Sequence, residues 1–207
     1  MSTVASLGVE RLTCIRGQRV LFRDLSFRVA GGQILSLEGP NGAGKTSLLR
    51  LLAGFLVPAA GRIALTAGAA TIDDAEERGR LIGWLGHHDA AKPQLTPLEV
   101  LAFFAGLYRS DAKIADALAA VGLAAVASLP CQYLSAGQKK RLALARLKIS
   151  NRPVWLLDEP LASLDAGGKR LAAEFLDAHA LFGGIAIAAT HEPLGIACER
   201  LVLGAPA

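Results

Sequence analysis

No apolar run in the 207 residues approaches the roughly 18 needed to cross a bilayer as a helix. The longest tract, Ala117 to Leu129, is short and broken by Gly122. The sequence also lacks paired cysteines. Cys14, Cys131 and Cys198 stand far apart with no CxxC among them, which argues against a disulfide framework or a zinc site and predicts reduced, partly buried thiols. The first twelve residues have no early basic cluster and no continuous apolar segment, and they carry Glu10, so they do not read as a secretory signal. A cytosolic chain is expected. No internal repeat and no long linker divides the sequence, so residues 1–207 are expected to form one domain of the larger sort.

With 52% hydrophobic residues the chain can bury a sizeable core. Its net charge of +4 is scattered rather than gathered into a nucleic-acid-binding stripe. The densest basic group, Lys139, Lys140, Arg141, Arg146 and Lys148, spreads over about three helical turns and is expected to be mainly a solvated face. No nucleic-acid partner is expected.

Alternating stretches near Gly8 to Ile15 and Leu25 to Val29 predict half-buried antiparallel strands on either side of a turn at Arg16, Gly17 and Gln18. Gln33 to Glu38 predicts a strand that runs into a glycine-rich turn, and Thr46 to Ala53 a helix that stops at Gly54. Leu81 to Leu85, Val154 to Leu157 and Ile185 to Ala189 are near-continuous apolar runs, as in parallel strands covered on both faces. Residues of roughly 91–150 are expected to be a helical insertion in an α/β core of about 1–90 and 151–207. The insertion opens with a helix capped by Thr96, with Pro97 in its first turn and Glu99 completing a capping box, and runs to about Tyr108. Two alanine-rich helices should follow, and the last should begin near Ser135.

Gly39, Pro40, Asn41, Gly42, Ala43, Gly44, Lys45 and Thr46 fit G-x-x-x-x-G-K-[ST] between a strand and a helix. In that setting backbone N–H groups turn inward and cradle phosphates at a helix N-terminus, whose dipole favours negative charge. With Ser47, these residues are the candidate nucleotide cradle. Lys45 should reach the β- and γ-phosphates, and Thr46 should place its hydroxyl on Mg²⁺. The apolar run from Val154 ends in Asp158 and Glu159, a pair placed to hold a metal shell through Asp158 and to polarise water through Glu159 as general base. Leu134, Ser135, Ala136, Gly137 and Gln138 form a helix start that, by its own chemistry, is either an ordinary cap or an anion site.

In their order along the whole chain, the phosphate loop, the segment at Ser135, the acidic pair, the run Ala162 to Asp165, and Thr190 with His191 resemble the motifs of ABC transporter ATP-binding subunits. The resemblance implies an α/β fold with a P-loop NTPase (RecA-like) core, an antiparallel β-subdomain and an inserted ABC-type helical subdomain. It implies ATP and Mg²⁺ as cofactors and ATP hydrolysis as the activity. It further implies a head-to-tail homodimer in which Ser135, Gly137 and Gln138 of one copy close on ATP held by the other. Asp165 would lie at that contact, and His191 would orient water at the γ-phosphate.

This sequence departs from the family pattern at three points. Ala136 replaces a glycine. Arg16 stands where an aromatic residue stacks on adenine. His88 stands where a glutamine touches Mg²⁺, and is a softer ligand for a hard cation. A zinc or haem role for His87 and His88 is the lesser alternative to a nucleotide-sensing loop. Within the family, Trp84 to His87 with Asp89, Lys92, Leu95, Thr96 and Glu99 looks like the small ATPases of bacterial cytochrome c maturation. That likeness implies integral membrane permease subunits as partners, a peripheral place on the cytoplasmic face of the inner membrane, and haem handover or export as the work done. Docking is expected beside the His88 loop and the helix from Thr96 to Tyr108. Another small bacterial ABC exporter, or a non-transport ABC ATPase, is the alternative. The latter class carries paired domains or long inserted arms, which this chain lacks.

Overall fold

The protein is described by a computed structural model covering residues 4–86 and 91–204. The chain opens with β1 (Val4–Arg16) and β2 (Arg19–Ala30), then β3 (Ile34–Glu38) and α1 (Lys45–Leu52). Next come β4 (Ala60–Ala67), β5 (Ala70–Ile72), α2 (Ala75–Gly79) and β6 (Ile82–Leu85). The helices α3 (Pro97–Tyr108), α4 (Ile114–Ala120) and α5 (Ala136–Ile149) precede β7 (Val154–Asp158), α6 (Ala166–Leu181), β8 (Ile185–Ala189) and β9 (Glu199–Val202). Two sheets result, an antiparallel one in the order β2-β1-β4-β5 and a parallel one in the order β6-β7-β8-β3-β9.

Strand periodicity divides the parallel sheet between two cores. Val154 and Leu156 of β7, with Ile185 and Ile187 of β8, face α1 and the antiparallel sheet; Trp155, Leu157, Ala186 and Ala188 face α5 and α6. Successive residues of a strand point to opposite faces, so a strand covered on both sides must be apolar throughout. α1 fills the space between the sheets with Leu48, Leu49 and Leu52, all fully buried and each stabilising the fold by about 1.5 to 3 kcal/mol. Its position fixes the loop that precedes it.

A third core lies among α3, α4 and α5, built from Leu101, Leu118, Val121, Leu123, Leu142 and Ile149 with their neighbours. α3 begins as its sequence predicts: Glu99 N donates to Thr96 Oγ1 at 3.2 Å, and Thr96 N donates to the Glu99 carboxylate at 2.8 Å. The two helices expected after α3 form as α4 and α5, the latter starting from its cap at Ser135. α4 ends at Ala120, just before Gly122, and the residues beyond make a single 3₁₀ turn at Ala124–Val126 before Pro130. Short alanine side chains offer too little apolar surface to extend it, while Leu123 and Val126 turn inward.

The basic group on α5 is a solvated face only in part: Lys148 is exposed and Lys139 and Arg141 are half-buried, but two members are not. Lys140 and Arg146 are 4% and 8% exposed, because α5 is wedged between two cores. Arg146 donates to Trp84 O at 3.1 Å and lies 4.8 Å above the Phe104 ring, so its stem crosses an apolar layer to reach polar atoms. The strands β4, β5 and β9 and the helices α2 and α6 add to what the sequence predicted, and the hairpin strands are longer than expected.

At the far end of α6, His179 stacks on Trp155 with ring centroids 3.8 Å apart and planes 8° from parallel, and its Nε2 lies 3.2 Å from Ile185 O. Burial outweighs the hydrogen bonds to Ile185 and Pro153 and pushes the imidazole pKa down to about 4 from 6.5. Above pH 6.5 neither folded nor unfolded chains hold this proton, so the full contribution to stability is present. As pH falls from 6.5 to 4, the unfolded chain binds it first and stability is lost, by up to roughly 3 kcal/mol. His179→Phe keeps a flat ring without a titrating nitrogen. Denaturant melts at pH 7 and pH 4.5 should show the parent losing more stability than the variant; equal losses would dismiss His179 as the source.

Candidate nucleotide site

The phosphate loop hangs between the carboxyl end of β3 and the start of α1. Two glycines make its path possible. At Gly39, φ is 136° and a Cβ would lie 2.3 Å from Leu203 O; at Gly44, the N-cap of α1, φ is 102° and a Cβ would press on Leu21 and Phe22 at 3.2 Å. Side chains are strained at both angles, so only glycine lets the backbone turn its N–H groups toward the loop's hollow. No side chain caps α1, which leaves the first-turn N–H groups of Lys45, Thr46 and Ser47 without helical acceptors. These are the donors a phosphate needs.

Lys45 is 7% exposed, and its Nζ donates to Gly39 O at 2.7 Å and Pro40 O at 3.3 Å, folding the ammonium back over the loop. Thr46 Oγ1 lies 3.0 Å and 3.1 Å from the two carboxylate oxygens of Asp158, from which it is separated by 112 residues. Asp158 closes β7 and is 5% exposed. The next residue, Glu159, has φ of 52°, and its N–H donates to Ala189 O at 2.9 Å. That turn lifts its carboxylate off the strand, with Oε1 3.3 Å from His191 Nε2. Thr190 anchors the histidine's turn: its hydroxyl donates to Glu192 O at 2.8 Å and accepts from Glu192 N at 3.1 Å.

The ends of β3, β7 and β8 thus bring Lys45, Thr46, Asp158, Glu159 and His191 to one edge of the sheet. Ser135, Gly137 and Gln138 stand apart. Ser135 N donates to Gln138 Oε1 at 2.8 Å and Gln138 N to Ser135 Oγ at 3.1 Å, a complete capping box; no hydrogen bond ties them to the phosphate loop among the described residues. Gly137 lies against the turn after Glu159, where a Cβ would meet Ser163 O at 2.9 Å. Asp165 caps α6 by accepting from Gly168 N at 2.7 Å. Arg16 is exposed and pairs with Arg19 across the hairpin, and a Cβ on Gly42 would come 4.0 Å from Arg19 Nη1. Arg19 and Phe22 therefore adjoin the loop, which no sequence signal marked. His88, together with His87 and Asp89, lies outside the described residues.

A family model described as ABC transporter matches residues 22–162. The cytochrome c biogenesis ATP-binding export protein CcmA of Rhodopseudomonas palustris is 49% identical, covering 95% of this chain and 96% of its own length. The chain belongs to the ABC transporter family. Within it, the protein of the same description from Nitrobacter winogradskyi is also 49% identical, over 95% of this chain and 96% of that one. An ABC transporter ATP-binding protein from Pyrococcus furiosus has a TM-score of 0.80 at 21% identity, covering 96% of this chain and 97% of that one, a likeness of fold. This family member is an ATPase. Among the described residues no helix is long and apolar enough to cross a membrane.

Proposed function

We propose that this ATPase serves cytochrome c biogenesis, as the names of its relatives state for them, by driving haem handover or export through integral membrane permease subunits on the cytoplasmic face of a bacterial inner membrane. The observation that carries the chemistry is the meeting of Thr46 with Asp158 beside Glu159 and His191. Lys45 and the loop N–H groups bind the β- and γ-phosphates. Glu159 accepts a proton from the attacking water, and His191, next to it, orients that water against the γ-phosphate.

The donor set at Thr46 and Asp158 fits Mg²⁺. It offers one hydroxyl and one carboxylate, both hard oxygens, and among the described residues no cluster of three acidic, histidine or cysteine side chains competes for a softer metal. Magnesium bound there would neutralise charge on the phosphates. Asp158 and Thr46 hold their oxygens in place for it.

Among the described residues Ser135, Gly137 and Gln138 make no hydrogen bond to the loop of their own chain, which supports a site completed by a second copy, with Asp165 near the contact. Light scattering with ATP and Mg²⁺ on chains carrying Glu159→Gln tests this. A dimer should form with ATP and should be absent once Ser135→Arg is added. Dimers that persist in the double variant would exclude the Ser135 surface from the contact.

A further inference from the structure

At the end of the parallel sheet away from the phosphate loop, a cavity of about 750 Å³ opens before the first residues of β6, β7 and β8. Its size falls within the range of small-molecule sites. The side chains around it are unusual for a mere gap. Arg80, Arg109, Lys148 and Arg152 all line it, and no acidic residue does among those described. Arg80 is engaged by Glu76 at 2.7 Å, but Arg109, Lys148 and Arg152 have no carboxylate partner among the described residues. The chain's whole excess of positive charge is four.

Two of these cations rest on rings. Lys148 Nζ stands 4.6 Å from the centre of Phe175, and the Arg152 guanidinium 5.5 Å from that of Tyr108. The mutually stacked Trp155 and His179 also line it, and the buried Trp155 indole N–H has no acceptor among the described residues. Phe182, 91% exposed, stands at the rim. Aromatic side chains and cations without carboxylate partners converging on one concavity call for a ligand with a flat apolar body and negative groups at its edge.

We propose that this cavity is a second ligand site, which takes a small planar anion such as an aromatic carboxylate or sulfonate, with Arg109, Lys148 and Arg152 on its charged groups. It is separate from the nucleotide site, which occupies the opposite, carboxyl ends of the same strands. An occupant touches the ends of α3 and α5 and the start of β7, the strand that terminates at Asp158.

The test titrates the intact chain with 8-anilinonaphthalene-1-sulfonate by fluorescence, with and without saturating ATP, and with the uncharged N-phenyl-1-naphthylamine as a comparison. The sulfonate should bind one to one, at least about tenfold more tightly than the uncharged compound, and ATP should not displace it. Arg109→Gly removes a cation while suiting the left-handed backbone there, where φ is 51°, and Arg152→Gln removes a second. Each should weaken sulfonate binding by about tenfold, the scale of a lost charge-assisted contact, with ATP affinity unchanged as the check on folding. Equal sulfonate affinity in parent and variants, equal binding of the uncharged compound, or displacement by ATP would each overturn the proposal.

Discussion

Glu159→Gln is expected to bind ATP at least as well as the parent chain while hydrolysing it about 10² to 10⁴ times more slowly, the scale of general-base assistance. That factor is roughly 3 to 5 kcal/mol of barrier. The amide keeps the side chain's size and its contact with His191, so the geometry at the end of β7 should persist. It cannot take a proton from water. Loss of a negative charge beside Asp158 also lessens repulsion with the triphosphate, which favours retention of ATP. Single-turnover hydrolysis and equilibrium nucleotide binding separate the two effects. Hydrolysis at the parent's rate would sink the assignment of Glu159.

Lys45→Ala should lower ATP affinity by about a hundredfold or more. The ammonium is folded over the loop by its own hydrogen bonds, and charge-assisted bonds to phosphate are among the strongest in a polar site. Its hydrogen bonds end on Gly39 O and Pro40 O, so the substitution also strips two carbonyls of a donor. Thermal melts of both chains without ATP isolate that structural cost. An ATP titration measured on chains shown to be folded then reads the phosphate contact alone, and an unchanged affinity would remove Lys45 from the site.

The parts of the site that were legible in the sequence are those in which a local pattern is itself the mechanism. A glycine-rich turn between an apolar strand and a helix has few other uses, and Gly39 and Gly44 take the backbone angles that their identity permits. The capping box at Thr96 is equally local and forms, as does the helix start at Ser135, whose box with Gln138 only the structure revealed. Strand order was not legible, because parallel neighbours such as β3 and β8 are joined by no turn and leave no mark at either partner. For the same reason nothing in the sequence marked Arg19 or Phe22 as neighbours of the loop. α5 misled because charge patterning assumes that charged heads stay in water, whereas Arg146 reaches a carbonyl and a ring inside the fold. β4 was visible in principle: Ile63 and Leu65 alternate with exposed or half-buried neighbours.

The pairing of β3 also has a consequence for how the chain is made. This strand emerges early from the ribosome, yet its sheet neighbours among the described residues are β8 and β9, at residues 185–189 and 199–202. At typical synthesis rates of about 5 to 20 residues per second, roughly 7 to 30 seconds separate β3 from β8. Throughout that interval both edges of an almost wholly buried strand stand open to incorrect pairing. The β1–β2 hairpin and β4 are complete much sooner and can shelter the face bearing Leu35 and Leu37 against α1. Nascent chains halted before residue 185 should therefore carry a formed antiparallel sheet and an unsupported phosphate loop, so the ability to grip nucleotide is acquired only as translation nears its close.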